Sequence, residues 1–198
     1  GDFYHRIANI NTTEVRTYNI PTGTWTVLPI LTSNDTGGDY LEYSEGVEYF
    51  PELGGLVVAN AGGGSGSVYL FRESTQQWTT LARNLPMGGL GAFAEHNPVH
   101  NVMLFGGGAG SRNIYKLDAT GAVTSLGLAP ITLSTNASIV TVDPVSGDFL
   151  VFDDNGSFYV YNILTNTWTL QSASNVFSPI LSNVSAIWEV VATPVSTY

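Results

Sequence analysis

The sequence contains no cysteine, and only one of its six basic residues, Lys116, is a lysine. Without cysteine, disulfide frameworks, iron–sulfur clusters and thiolate zinc sites are excluded. The net charge of −10 and the lack of any basic run argue against nucleic acids and anionic membrane surfaces as partners. No segment reaches ~18 consecutive apolar residues, so membrane insertion is not expected. No segment of ~10 residues carries a helical period.

What the chain does contain is typical of an all-β protein. Hydrophobic residues make up 43% of the 198 residues and charged residues only 11%, a charged share well below the usual ~25%. The chain also has 22 glycines, ten tyrosines, nine phenylalanines and four tryptophans. This composition predicts a folded chain of β-strands and glycine-rich turns.

A repeat with a fixed internal spacing organises the whole chain. In three segments an aromatic residue precedes a tryptophan by seven positions: Tyr18 and Trp25, Phe71 and Trp78, Tyr161 and Trp168. In a fourth segment Val123 stands in the tryptophan position, so the equivalent positions are 53, 45 and 45 residues apart. These intervals are within the range of β-propeller blades.

Each repeat reads as four strands, which we call a, b, c and d. Strands c and d form the hairpin that carries the aromatic residue and the tryptophan, and two apolar runs precede it. The sequence therefore predicts one propeller unit over residues 1–198, with four four-stranded blades. The repeats cover residues 1–30 plus 186–198, 46–82, 91–127 and 137–172. Stacking blades would bury the aromatic positions between neighbouring sheets.

A glycine pair in two of the repeats resembles the kelch motif. In the third repeat an apolar run leads into Gly106-Gly107 and then Tyr115, and the second repeat has Gly62-Gly63 before Tyr69. The resemblance implies the kelch type of blade, also seen in galactose-oxidase-like propellers. The copper oxidases of that group use a tyrosine cross-linked to cysteine, so their activity is not implied for a chain without cysteine. No cofactor and no metal site are expected.

The two ends of the chain suggest how a ring would close. Residues 144–149 carry Pro-Val-Ser-Gly-Asp-Phe, while residues 194–196 carry Pro-Val-Ser and residues 1–3 carry Gly-Asp-Phe. The C-terminal strand is therefore predicted to pair with the N-terminal three strands and complete one blade. The alternative is that the chain belongs to a larger ring of six or seven blades.

The loops between strands b and c and between strands d and a are predicted to share one face, where propellers usually bind ligands. Arginine and aromatic side chains in such loops suit a protein or glycan partner. The candidate binding residues are Tyr40, Tyr43, Glu45, Arg83, Arg112, Asp153 and Asp154. Ordinary solvated loop residues are the competing interpretation for each of them.

Five sequons for N-glycosylation fall in the same loops and favour a secreted or cell-surface protein. Their acceptors are Asn11, Asn34, Asn136, Asn155 and Asn183.

Three other groups of residues were considered as catalytic or metal-binding sites. Tyr4, His5 and Arg6 have the side chains of a polysaccharide lyase, although strand alternation separates His5 from its two neighbours. His96 and His100 flank a turn and are interpreted as surface residues. Residues 153–156 offer oxygen ligands but read better as a tight Asn-Gly turn.

The sequence thus favours a non-catalytic extracellular module that binds protein or glycan through the loop face. The alternatives are a carbohydrate-active enzyme such as a polysaccharide lyase, and a structural module that contacts other chains in a larger surface assembly.

Overall fold

The computed structural model describes residues 2–9, 12–29, 46–60 and 66–171. Within these ranges the chain forms fifteen strands and one short 3-10 helix, Pro51–Leu53. The strands make four antiparallel sheets, each from a contiguous piece of sequence, and we call the sheets blades 1 to 4 in chain order. No helix in the described part of the chain has the length and apolar character needed to cross a membrane.

The described part of blade 1 has three strands, and the other blades have four each. Blade 1 contains β1 (Asp2–Asn9), β2 (Thr12–Asn19) and β3 (Thr24–Val27). Blade 2 contains β4 (Gly46–Phe50), β5 (Gly55–Asn60), β6 (Gly66–Arg72) and β7 (Gln77–Leu85). Blade 3 contains β8 (Ala92–Asn97), β9 (Val102–Gly107), β10 (Asn113–Asp118) and β11 (Val123–Leu128). Blade 4 contains β12 (Ser138–Val142), β13 (Phe149–Asp153), β14 (Phe158–Asn162) and β15 (Thr167–Gln171).

Within every blade, strands that are consecutive in sequence are neighbours in the sheet, as in a meander. The hairpin before the last strand always contains one residue with positive φ: Gly23 (67°), Gln76 (55°), Gly121 (89°) and Asn166 (53°). Such left-handed residues let a short turn match the twist of the two strands it joins. Local turn chemistry therefore determines the register of each outer hairpin.

The first strands of blades 2, 3 and 4 lie on the inside of the assembly. β8 contacts both β4 and β12, whereas the last strands of the blades are not among the main contacts between blades. Sequential four-stranded sheets with their first strands gathered together are the architecture of a β-propeller. The chain is an all-β propeller built from four blades, as the repeats predict.

Apolar clusters between consecutive blades form the core. The cluster between blades 2 and 3 includes Phe50, Val57 and Leu70 from one sheet and Phe105 and Leu117 from the next. A similar cluster joins blades 3 and 4, and a smaller one joins blades 1 and 2. Complete burial of each such side chain contributes ~1.5–3 kcal/mol, so contacts between blades are a main source of stability.

In blades 1 to 3, a leucine three residues after the tryptophan position connects one blade to the next. Leu28 packs on Leu56 and Phe71 of blade 2. Leu81 joins the cluster between blades 2 and 3, and Leu126 joins the cluster between blades 3 and 4. At the equivalent position blade 4 has Gln171.

The strand register confirms that the predicted tryptophan positions are equivalent. Trp25 lies opposite Tyr18, Trp78 opposite Phe71, Val123 opposite Leu117 and Trp168 opposite Tyr161. The expectation that these side chains are buried is wrong for Trp25, which is 52% exposed, while the other three are half-buried. The reason is their place on the outermost strand, where a neighbouring blade covers one side at most.

The predicted boundary of the loop after blade 2 is also wrong. The sequence placed Arg83 in a loop beginning at residue 82, but β7 runs to Leu85 and still pairs with Gly66 there. Register shifts between Gly66 and Tyr69 let the two strands stay paired over this extra length. The proposed closing strand, residues 186–198, lies outside the described residues, so closure stays a prediction.

Candidate functional site

A loop fixed by glycines forms the floor of the b–c and d–a face between blades 2 and 3. Gly107 accepts a hydrogen bond from the amide of Gly88 at 2.8 Å, and the amide of Gly108 donates to the carbonyl of Leu133 at 2.8 Å. A Cβ added at Gly107 would overlap the Leu133 carbonyl oxygen, and its φ of 67° is left-handed. The second glycine of the pair therefore permits a close approach of three loops that no other residue would allow.

Above this floor lies an open cleft of about 510 Å³, which we call the Arg112 cleft. Residues 86–88 of blade 2 form one wall, and residues 109–113 form the other. Leu128 and Thr132 of blade 3 complete the lining. The side chain of Arg112 is exposed at this cleft, so the structure places one predicted binding residue in a concave site.

Hydrogen bonds hold the wall that carries Arg112. The Ser111 hydroxyl accepts from the Asn113 amide at 3.2 Å and donates to the Pro86 carbonyl at 3.4 Å. The carbonyl of Arg112 itself accepts from the amide of Ala129 at 2.8 Å. The backbone around Arg112 is thus held on both sides, which limits the entropy lost when a ligand orders its side chain.

Asp153 and Asp154 lie in a second, smaller depression of about 230 Å³, together with Asn136. One carboxylate oxygen of Asp153 accepts hydrogen bonds from the amides of Asn155 at 3.0 Å and Ser157 at 2.8 Å. Gly156 follows in the left-handed region with φ 82°. This is the tight turn expected from the Asn-Gly pair, and much of the hydrogen-bonding capacity of Asp153 is used inside it.

The remaining predicted site residues are not brought together in the described structure. Arg83 is exposed on β7, where its guanidinium donates to the Thr80 hydroxyl at 3.2 Å. Tyr4, His5 and Arg6 occupy consecutive positions of β1, which pairs regularly with β2. Candidates outside the described residues are Tyr40, Tyr43, Glu45, Asn11, Asn34 and Asn183. The other two acceptors, Asn136 and Asn155, are exposed.

The histidine interpretation needs a partial correction. His96 is not a turn residue but lies in β8, half-buried, with Nε2 3.1 Å from a Glu52 carboxylate oxygen. Its ring also meets Phe50 edge-on at 5.5 Å. No group of three or more metal-ligating side chains occurs among the residues that the structure describes.

Two half-buried glutamates on the inner strands, Glu48 and Glu95, were not among the candidate site residues predicted from the sequence. Burial raises the pKa of Glu95 to about 7, and the nearby carboxylate of Glu48 adds to that shift. Burial also raises the pKa of Glu48, although the neighbouring His96 opposes the change. Both residues stand in strand a of their repeats, so their place on the inner strands was a signal available in the sequence.

Comparisons with known proteins support the propeller fold. No family model matches the chain, and no curated protein matches it. Among solved structures, YjhT is 14% identical with a TM-score of 0.56, and the match covers 88% of this chain and 65% of the YjhT chain. Sqt1 from Saccharomyces cerevisiae is 16% identical with a TM-score of 0.56, over 80% of this chain and 41% of its own.

An auxiliary nutrient binding protein from Bacteroides ovatus is 15% identical with a TM-score of 0.54, over 87% of this chain and 40% of its own. The chain spans less than two thirds of each of these three structures. Identities this low establish similarity of architecture alone.

Proposed function

We propose that this chain is a non-catalytic propeller module that binds a protein or glycan through its b–c and d–a loop face. The observation that carries the proposal is the Arg112 cleft. It combines a concave surface, a floor fixed by Gly107, and an exposed cation whose backbone is held in place. A pre-formed concave surface with polar groups held in fixed positions is typical of binding sites.

The blades are proposed to be of the kelch type. The packing of Gly106-Gly107 beneath neighbouring loops gives the glycine pair a structural purpose, and the residues opposite Trp25, Trp78 and Trp168 keep a constant register. The proposal also places the protein outside the cell, as a secreted or surface module. Intact-mass analysis of native material would test this, because occupied sequons require passage through the secretory route.

Glycosylation would also decide which part of the face is open to partners. Asn136 lines the Asp153 depression, and the side chain of Asn155 donates a hydrogen bond to Asp154, which also lines it. Glycans there would cover that depression, whereas neither acceptor is part of the Arg112 cleft. Occupancy of these two sequons would therefore leave the Arg112 cleft as the open part of this region.

The test is a binding screen of the chain against protein and glycan arrays, repeated with Arg112→Ala. Arg83→Ala is the matched control, because the structure places this exposed arginine on β7, not in the predicted loop, and outside the cleft lining. We expect the first variant to lose at least ~10-fold in affinity, as removal of a charge-assisted contact does, and the control to bind normally. Turnover of anionic polysaccharides by the wild-type chain would favour the lyase alternative instead.

A further inference from the structure

The side chain of Arg112 differs from those of Arg16, Arg72 and Arg83 in having no hydrogen-bond or ion-pair partner among the described residues. Arg72 donates to the Leu53 carbonyl at 2.9 Å, and Arg83 donates to Thr80. The Arg112 guanidinium makes no hydrogen bond and no ion pair in the part of the chain that the structure describes. None of the described residues that line the cleft carries a carboxylate. In a chain with a net charge of −10, this is a local site that favours an anion.

The polar groups beside Arg112 are arranged to support one acidic group. The Ser111 hydroxyl accepts hydrogen bonds from the backbone amide and the side-chain amide of Asn113. Most of the hydrogen-bonding capacity of this hydroxyl is therefore used within the wall. Thr132, an exposed residue with a hydroxyl group, also lines the cleft. A guanidinium can bind a carboxylate through two parallel N–H donors, and a nearby hydroxyl can donate a third hydrogen bond.

The rest of the lining is aliphatic. Leu128 is 58% exposed at the end of β11, and Pro86 and Met87 form part of the opposite wall. No aromatic ring occurs among the described residues of the lining, so this part of the cleft lacks the flat, rigid contact surface that such rings provide. An exposed leucine beside a cation suits an aliphatic side chain adjacent to an acid. This combination favours a protein partner over a glycan.

We infer that the Arg112 cleft binds an aspartate or glutamate side chain of a partner protein, with an aliphatic neighbour of that residue placed on Leu128. This inference rests on the proposed binding function and specifies its ligand. The carboxylate meets the guanidinium of Arg112, and the aliphatic group removes exposed apolar surface of Leu128 from water.

The experiment uses a peptide array in which glutamate or aspartate stands beside leucine. For each peptide the array includes two control peptides. One has glutamine or asparagine in place of the acid, and the other has alanine in place of leucine. A second array carries glycans with uronic acids. We expect a preference for acid over amide of at least ~10-fold, which corresponds to ~1.4 kcal/mol. The preference should weaken at high salt, because the contact is between charges.

Three variants assign the two halves of the contact, and a fourth serves as the control. Arg112→Ala should remove the preference for acid over amide, and Arg112→Lys should keep part of it, since lysine retains the charge without the paired donors. Leu128→Ala should remove the preference for leucine over alanine and keep the acid preference. Arg83→Ala should change neither. Because Arg112 and Leu128 are exposed, the variants should fold, and an unchanged denaturation midpoint would verify this.

The outcomes separate this inference from the proposed function. Uronic glycans that bind through Arg112 while acidic peptides do not would overturn the inference and keep the proposed function. Peptides that bind equally as acid and amide, without sensitivity to Arg112→Ala, would also overturn the inference. Binding to neither array would overturn both.

Discussion

Blades 1 and 4 contain nearly the same outer hairpin, yet the two hairpins have very different surroundings. Residues 19–26 read Asn-Ile-Pro-Thr-Gly-Thr-Trp-Thr, and residues 162–169 read Asn-Ile-Leu-Thr-Asn-Thr-Trp-Thr. In each turn the asparagine side chain accepts from the backbone amide of the threonine three residues later, at 3.0 and 2.9 Å. The two turns thus fold alike, but Ile20 is 64% exposed and Ile163 only 5%.

The neighbouring blade explains this difference. Ile163 and Trp168 pack in the cluster that includes Leu126 of blade 3, and Asn166 donates to the Leu126 carbonyl at 3.1 Å. No described blade covers the corresponding face of blade 1 in this way. A turn is therefore determined by its own residues, whereas burial is determined by what packs on it. The following predictions test this distinction between the paired positions.

The largest difference in the free energy of unfolding is expected between alanine substitutions of the two isoleucines. Ile163→Ala removes a buried side chain from a packed cluster and should destabilise the chain by ~2–5 kcal/mol. Ile20→Ala changes an exposed residue and should stay within ~0.5 kcal/mol of wild type. Chemical denaturation of both variants measures the difference. Equal losses would mean that another part of the protein covers blade 1 in solution.

The tryptophans should show a smaller contrast. Trp168→Ala removes a ring that is half-buried and stacked on Tyr161 at 4.4 Å, so we expect a loss near ~3 kcal/mol. Trp25→Ala removes a 52% exposed ring that keeps a tilted contact with Tyr18 at 4.9 Å, and ~1 kcal/mol is expected. Denaturation midpoints of the two variants provide the measurement. If neither midpoint moved, the assignment of these residues to equivalent hairpins would be wrong.

The same contrast explains how far the sequence predicts this molecule. The spacing of Tyr18 to Trp25 and of Tyr161 to Trp168 is a local pattern, and it correctly predicts strands, register and blades. The exposure of Trp25 depends on whether another sheet packs on its blade, which no local pattern contains. Similarly, Arg112 could be predicted as a loop residue, but the cleft around it is formed by loops of two blades that meet only in the fold.

Exchanging the turn residues of the two hairpins should give a smaller effect. Asn166 accepts from the Tyr161 hydroxyl at 2.9 Å as well as donating to blade 3, so Asn166→Gly should cost ~1 kcal/mol. Gly23 has the same left-handed conformation, and a Cβ there would lie 3.7 Å from the Tyr18 hydroxyl oxygen, an ordinary contact. Gly23→Asn should be tolerated within ~0.5 kcal/mol, because asparagine accepts this conformation. Thermal denaturation of both variants checks the pair. A strongly destabilising Gly23→Asn would show that the two turns are not interchangeable.

Small changes in the free energy of unfolding are expected when either of two buried tyrosine hydroxyls is removed. The change should be a loss at one position and neutral or a gain at the other. The hydroxyl of Tyr161 donates to Asn166, whereas the hydroxyl of Tyr115 is buried between blades 2 and 3 with no hydrogen-bond partner among the described residues. Burial raises the pKa of Tyr161 to about 12 and also raises that of Tyr115, so both are neutral at pH 7. Tyr161→Phe should therefore cost ~0.5–1.5 kcal/mol, the net contribution of one hydrogen bond.

Tyr115→Phe removes a buried polar group that gains nothing from the fold, so it should be neutral or stabilise the protein by up to ~1 kcal/mol. Phenylalanine preserves the ring and with it the stacked contact with Phe105 at 5.4 Å, so the substitution isolates the hydroxyl. Urea denaturation of the two variants beside wild type measures both changes at once. A destabilising Tyr115→Phe would mean that the hydroxyl has a hydrogen-bond partner, such as an ordered water between the blades. In that case the interface of blades 2 and 3, like that of blades 3 and 4, would depend on a polar contact as well as on apolar packing.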